Sequence, residues 1–131
     1  MVKAVDIEKA LAGLPVLHGR GPDTSEDEAG SAFATLAETQ DGGVFAGSFD
    51  GDSPWERHPN GDELVQVLAG ATTLTVLTDD GEQVLKMTGG MVTVVPQGCW
   101  HRFSAPDGVT VMTMTPQPTE ISTAEDPRVA G

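Results

Sequence analysis

Three histidines, one cysteine and a few acids on strand-like segments carry the chemistry available to this 131-residue chain. Two stretches hold most of it. The first reads Trp55-Glu56-Arg57-His58-Pro59-Asn60-Gly61-Asp62-Glu63. On a strand, Glu56 and His58 are two residues apart and face the same way. A Pro-Asn-Gly turn follows, and Glu63 opens the next strand where it can rejoin that face. The second stretch, Gly90 to His101, is a hydrophobic strand, a Pro-x-Gly turn and then His101 at the start of another strand. Two imidazoles and two carboxylates delivered by strand ends suit a divalent cation. The plainer alternatives are hydrogen-bonded barrel histidines, a Glu63 paired with Arg57 or Arg102, and an exposed Glu56 beside Arg57. Other chemistries have no residues to stand on. There is no serine in a nucleophile-elbow context, no phosphate-binding G-x-x-x-x-G-K-S/T and no G-x-G-x-x-G.

The remaining reactive side chains read as structural. Cys99 shares parity with His101 and could line the same cavity, but a lone cysteine reads first as a buried packing residue. His18 lies in a polar segment and reads as solvated. Trp55 and Trp100 alternate with Glu56 and His101 and should pack on the opposite side. Met87, Met91, Met112 and Met114 should fill core or interface, with Met112 and Met114 on one strand face. Val65, Val67, Val92, Val94, Phe103 and Met112 are candidates for a partly apolar cavity, subject to strand register. Gly70, Gly81, Gly90 and Gly98 read as turn formers with positive φ.

The elements that must position these groups follow from periodicity. Residues 6 to 13 place Ile7, Ala10 and Leu11 at helical spacing behind a capping Asp6, and Gly13 and Pro15 end that helix. Residues 18 to 31 mix acids, Gly, Pro and Ser without periodicity and read as an exposed or disordered loop. From Phe33 onward, nine short β-rich runs alternate with Asp-Gly, Gly-Gly and Pro punctuation, with no helical segment between them. That pattern predicts an all-β antiparallel sandwich or barrel. The expected organisation is an N-terminal helix and acidic loop over 1–32, a β-barrel over 33–116 and a tail over 117–131 that hugs the surface or frays.

Charge narrows the partners. Seven Lys and Arg against 20 Asp and Glu leave a formal net charge of -13. Nucleic acid requires a basic stripe that this chain lacks, and an anionic membrane surface would repel it. No apolar run is long enough to span a bilayer, and the first 15 residues show no secretory pattern. One cysteine forms no internal disulfide, so the expected setting is the reducing cytoplasm.

At the two chemical stretches the sequence resembles the cupin superfamily. That family's first motif is G-x5-H-x-H, three or four residues, E, then x6-G; its second is G-x5-P-x-G-x2-H-x3-N. Here Glu63 follows His58 after four residues and Gly70 follows Glu63 after six. Gly90, Pro96, Gly98 and His101 fit the second motif in spacing. The resemblance covers roughly Gly47 to Thr115. Glu56 stands in the place of the first motif histidine, Gly51 lies one residue too close to it, and Ala105 replaces the asparagine. The resemblance implies a jelly-roll barrel with a metal held inside by Glu56, His58, Glu63 and His101, the ion being Mn, Fe, Ni or Zn. It implies a small organic ligand or substrate and a homodimer to which the N-terminal segment contributes. Three readings remain open: a metal-dependent dioxygenase, isomerase or lyase; a non-catalytic small-molecule binding or sensing barrel, with or without metal; and a purely structural protein that kept the fold and lost the metal. No catalytic residue is assigned.

Overall fold

A computed structural model describes residues 2–129; the outermost positions of the N-terminal segment and of the tail lie outside the described residues. Helix α1 (Ile7–Ala12) forms where the periodicity places it, with the Asp6 carboxylate accepting from the Lys9 N–H at 3.1 Å. The next segment differs from its expected disorder. It contains strand β1 (Leu17–Arg20) and helix α2 (Glu26–Ser31). The reason is local. The Ser25 hydroxyl accepts from the Glu28 N–H, and Glu26, Asp27 and Glu28 sit in the first turn, where the helix dipole favours acids. The acidity that suggested a solvated loop is capping chemistry.

The rest is one curled antiparallel sheet, joined along one edge by the parallel pairing of β1 with β3 (Gly42–Asp52). Strand β2 (Phe33–Glu38) pairs antiparallel with β3 along the same edge as β1, over Gly43 to Gly47. Two 16-residue strands, β5 (Glu63–Thr78) and β8 (His101–Pro116), run through the centre and pair with each other. β6 (Gly81–Thr88) closes a two-residue hairpin with β5, and β7 (Val92–Val95) pairs with the first half of β5. β4 (Trp55–Arg57) lies between β8 and β9 (Glu120–Ser122).

Four of the runs read as separate strands are in fact two continuous ones. β5 and β8 pass through their expected turns by bulging together, with register shifts between Val67 and Ala69 and between Gly70 and Thr73. Gly70 permits this. Its φ is +77°, and a Cβ there would land on the Gly108 carbonyl of the facing strand. Bend and close approach substitute for a reversal of direction. Gly81, Gly90 and Gly98 also have positive φ, as expected.

Alternation along β5 and β8 fills the barrel. Val65, Val67, Leu74 and Val76 from β5 meet Phe103, Ala105, Val109 and Val111 from β8, with Phe49, Met87 and Val95. Each such aliphatic or aromatic side chain contributes roughly 1.5–3 kcal/mol by leaving water. Of the cavity candidates, Val65, Val67 and Phe103 face inward. Val92 and Val94 do not: Val95 pairs with Glu63 and faces the core, so period 2 turns Val92 and Val94 outward, 58% and 52% exposed. Met112 and Met114 share the outer face of β8, Met114 being exposed. The tail does not fray as a whole. β9 pairs with β4, matching Glu56 to Ile121.

Candidate metal centre

The two motif stretches meet because β4 pairs with β8 in a register that sets Glu56 opposite His101. Glu63, the first residue of β5, faces inward one turn beyond His58. Glu63, His58 and His101 are all buried. Ligand atoms of Glu56, His58 and His101 lie within 4.8 Å of one another. Glu63 stands between the imidazoles, with Oε1 3.0 Å from His101 Nε2 and Oε2 3.3 Å from His58 Nε2. The fold thus brings all four expected residues to one place. Glu63 does not pair with Arg57 or Arg102.

Supporting hydrogen bonds decide which ring nitrogen faces the centre. The Cys99 carbonyl can only accept, so His101 Nδ1, 3.0 Å away, carries a proton and donates to it. The Thr119 hydroxyl donates to Gln117 Oε1, so it accepts from His58 Nδ1 at 3.1 Å. In both neutral rings the Nε2 lone pair then points at the Glu63 carboxylate. Neither contact has hydrogen-bond geometry. His58 Nε2, His101 Nε2 and Glu63 Oε1 are buried without a partner. Lone pairs facing a carboxylate in a buried site repel unless a cation lies among them. A proton on one ring meets that need in part; a divalent ion meets it for all three atoms at once. Two imidazoles with carboxylates form a donor set suited to Zn, Fe, Mn or Ni.

Glu63 is held in turn by a chain of hydroxyls. Thr115 donates to Glu63 Oε2 at 2.6 Å and Thr113 lies 2.7 Å from the Thr115 hydroxyl. Burial alone would raise the Glu63 carboxyl, but the nearby imidazoles of His101 and His58 pull it down to about 2. Burial would lower His101; contact with Glu63, the Cys99 carbonyl and the charge of Glu56 outweigh it and raise the imidazole. Burial raises the Glu56 carboxyl against the opposing pull of Arg20.

A cavity of about 210 Å³ opens from this cluster. Its walls include Phe33, Phe45, Phe49 and Phe103, which are all the phenylalanines of the chain, together with Arg20, Val111 and Thr113. α2 contributes Ala29 and Gly30, and Gln117 and Thr119 border it from the tail. Such a space holds one small ring, since a cavity of roughly 150 Å³ accepts benzene.

The side chains outside the cluster fall largely as expected. His18 is exposed and pairs with Asp50 at 2.6 Å. Trp55 is buried beneath the Arg102 guanidinium, and Trp100 packs under Arg57, each at 4.5 Å. Cys99 is half-buried against the core. Three contributors were not visible as site residues: Arg20, Thr115 and Thr119. Arg20 and Thr119 lie in segments whose composition suggests a loop and a tail. The Ser25-x-x-Glu28 capping pattern was the one available sign that the first of these is ordered.

Known proteins share this architecture. The sequence profile described as Cupin domain matches residues 49–115. No curated protein matches the sequence. Among solved structures, a cupin-2 domain containing protein from Shewanella frigidimarina is 26% identical, with a TM-score of 0.53 over 65% of this chain and 79% of that one. A conserved protein of unknown function from Streptococcus pyogenes is 20% identical, with a TM-score of 0.59 over 90% of both chains. A hydroquinone 1,2-dioxygenase from Sphingomonas sp. TTNP3 is 14% identical, with a TM-score of 0.57; the match covers 66% of this chain and just under two thirds, 65%, of that one. The latter two likenesses are of fold. The profile match takes in just over half of the sequence and contains both histidine-bearing motifs, and on that ground the chain belongs to the cupin domain family.

Proposed function

We propose that this cupin holds one divalent cation, Mn, Fe, Ni or Zn, through His58, His101, Glu63 and Glu56, and binds or transforms a small organic molecule in the adjoining cavity. The observation that carries this reading is the pair of buried Nε2 lone pairs directed at one carboxylate. When bound, the cation would act as a Lewis acid toward an oxygen of the ligand. The chain's own residues do the rest. Cys99 and Thr119 fix the imidazole tautomers, Thr115 orients Glu63, and the phenylalanines exclude water and receive an apolar body. A reducing cytoplasmic setting accords with the single thiol.

The deciding experiment is metal content by mass spectrometry on purified wild type and on His58→Ala, His101→Ala, Glu63→Gln and Glu56→Gln, with melting temperature recorded with and without chelator. Near-stoichiometric metal in wild type, lost in both histidine variants, is expected. A wild type that is metal-free, takes up none of the four ions and melts identically with chelator overturns the metal assignment and leaves a metal-free binding barrel. Oxygen uptake and product analysis on the loaded protein then separate turnover from binding.

A homodimer belongs to the same proposal. β7 pairs only with β5 among the described residues, so its other edge is open. Val94 and Met114 flank Leu64 across three strands, and Val92 and Met112 flank Gln66 in the next row. This apolar outer face beside an open edge suits a second copy of the chain.

A further inference from the structure

Arg20 is the last residue of β1, where the parallel register sets it beside Gly51. Gly51 has φ +97°, and a Cβ there would land on the Arg20 carbonyl, so the glycine lets β1 seat directly on β3 and carry Arg20 over the cavity. This accounts for a glycine that stands off the position expected by motif spacing. The Arg20 side chain is only 8% exposed. Its guanidinium lies 4.6 Å from the centre of the Phe49 ring and 5.9 Å from that of Phe33. Its one side-chain hydrogen bond among the described residues is a long one, Nη2 to Glu56 Oε1 at 3.4 Å, and its Nε is buried without a partner.

A guanidinium has five N–H donors in a planar fork and cannot shed its charge in a protein. Burying one with a single long side-chain hydrogen bond and an unpartnered Nε is costly unless an anion completes it. The one carboxylate near it, Glu56, is also within reach of the metal position. The charge count points the same way. Glu56 and Glu63 together balance a divalent ion, and Arg20 remains as one surplus positive charge in the cavity. A ligand with a single negative charge closes that balance. The wall beside it includes all four phenylalanines and Val111.

We propose that Arg20 anchors the carboxylate of a small monocarboxylic acid whose apolar body, no larger than one ring or a short branched chain, packs on Phe33, Phe45, Phe49 and Phe103. This rests on the reading of the cavity as a ligand site beside a metal. The planar fork accepts both carboxylate oxygens, which directs the other end of the acid along the phenylalanine wall. The anchor explains why an arginine is placed where desolvation penalises it, and it sets the class of molecule that the cavity selects.

The test uses full-length wild type, R20Q and R20K, each incubated with Mn2+, and in turn with Fe2+, Ni2+ and Zn2+, and assayed first for bound metal and melting temperature. Benzoate and 3-methylbutanoate are then titrated calorimetrically against their neutral amides, benzamide and 3-methylbutanamide. Wild type should bind at least one acid roughly tenfold or more tightly than its amide. R20Q should lose that preference while keeping its metal and its affinity for the amide; R20K should retain part of it. Equal binding of acid and amide in both pairs by wild type overturns the anchor, as does a preference that survives in R20Q. Should R20Q not fold, R20K and the wild-type acid-to-amide ratios still decide: a preference reduced but not abolished in R20K supports the fork, and an undiminished preference in R20K or no preference in wild type defeats it. A wild type that takes up none of Mn2+, Fe2+, Ni2+ and Zn2+ yet shows an Arg20-dependent preference sinks the metal reading and leaves the anchor standing. Bound metal without any acid preference does the reverse.

Discussion

His101 Nε2 stands 3.0 Å from Glu63 Oε1 while the same ring's Nδ1 is engaged by the Cys99 carbonyl. The two contacts together make this imidazole responsive to whatever cation lies between it and Glu63. A proton raises one kind of stability, a metal another, and the two depend on pH with opposite sign.

Without metal, Glu63 is depressed to about 2 from an ordinary value of 4.5, so its contribution is complete above the ordinary value and is lost as pH falls through about 2. His101 is raised above 6.5, so its contribution is complete below 6.5 and is lost as pH rises through the raised value. The pair therefore supports the metal-free fold most fully between about pH 4.5 and about pH 6.5. Metal requires both imidazoles deprotonated, and its stabilisation grows as pH rises through the histidine range. The melting temperature of chelated protein should fall from about pH 6 to about pH 9, and that fall should be shallower in His101→Gln, where general repulsion among the acids remains. Over the same range the gap between Mn-loaded and chelated protein should widen. Parallel curves with and without metal would contradict this account.

Thr119 sets the tautomer of His58 from a segment of the tail that looks dispensable in sequence. Thr119→Val should weaken metal affinity about 10–100-fold, the usual effect of removing a partner of a metal-bound imidazole. Thr119→Ser should restore most of it. Competition with a chromogenic chelator measures both, and an unchanged affinity in the valine variant would remove Thr119 from the centre.

Cys99 should be a slow nucleophile. Burial and the nearby Asp79 and Asp62 raise its thiol above the ordinary value, and its side chain rests on the core. Little thiolate forms at neutral pH. Labelling by a small disulfide reagent in the folded protein should run at least about tenfold slower than in denaturant. Equal rates would show that the thiol is free of the core.

The outer face around Val94 should mediate self-association. Light scattering of wild type at micromolar concentration should give about twice the chain mass of 13.6 kDa. Val94→Glu places a charge in the patch beside the open edge of β7 and should yield a monomer with its melting temperature little changed, because Val94 is already exposed. A wild type that is monomeric at these concentrations counts against the proposed dimer.

Much of the site was legible in the sequence because it depends on local rules. Period 2 sets Glu56 and His58 on one face, Pro-Asn-Gly and Pro-x-Gly turns deliver Glu63 and His101 to strand starts, and the resemblance to cupins joins the two stretches. All-β architecture followed from the regular spacing of turns. What the residues alone did not decide was register and the continuity of strands. A one-residue change in β7 separates Val95 in the core from Val94 in solvent, and nothing within Met91 to Pro96 chooses between them until Glu63 pairs with Val95. Gly70 reads equally as a turn or a bend, and it becomes a bend only because Gly108 approaches from across the sheet. Arg20 and Thr119 join the centre through β1–β3 and β4–β9 pairings that span more than thirty and sixty residues of sequence. Their own neighbourhoods are polar and acidic. Only the curled sheet, with its long-range pairings made, converts those two residues from parts of apparent loops into a buried cation over the cavity and a hydroxyl behind a histidine.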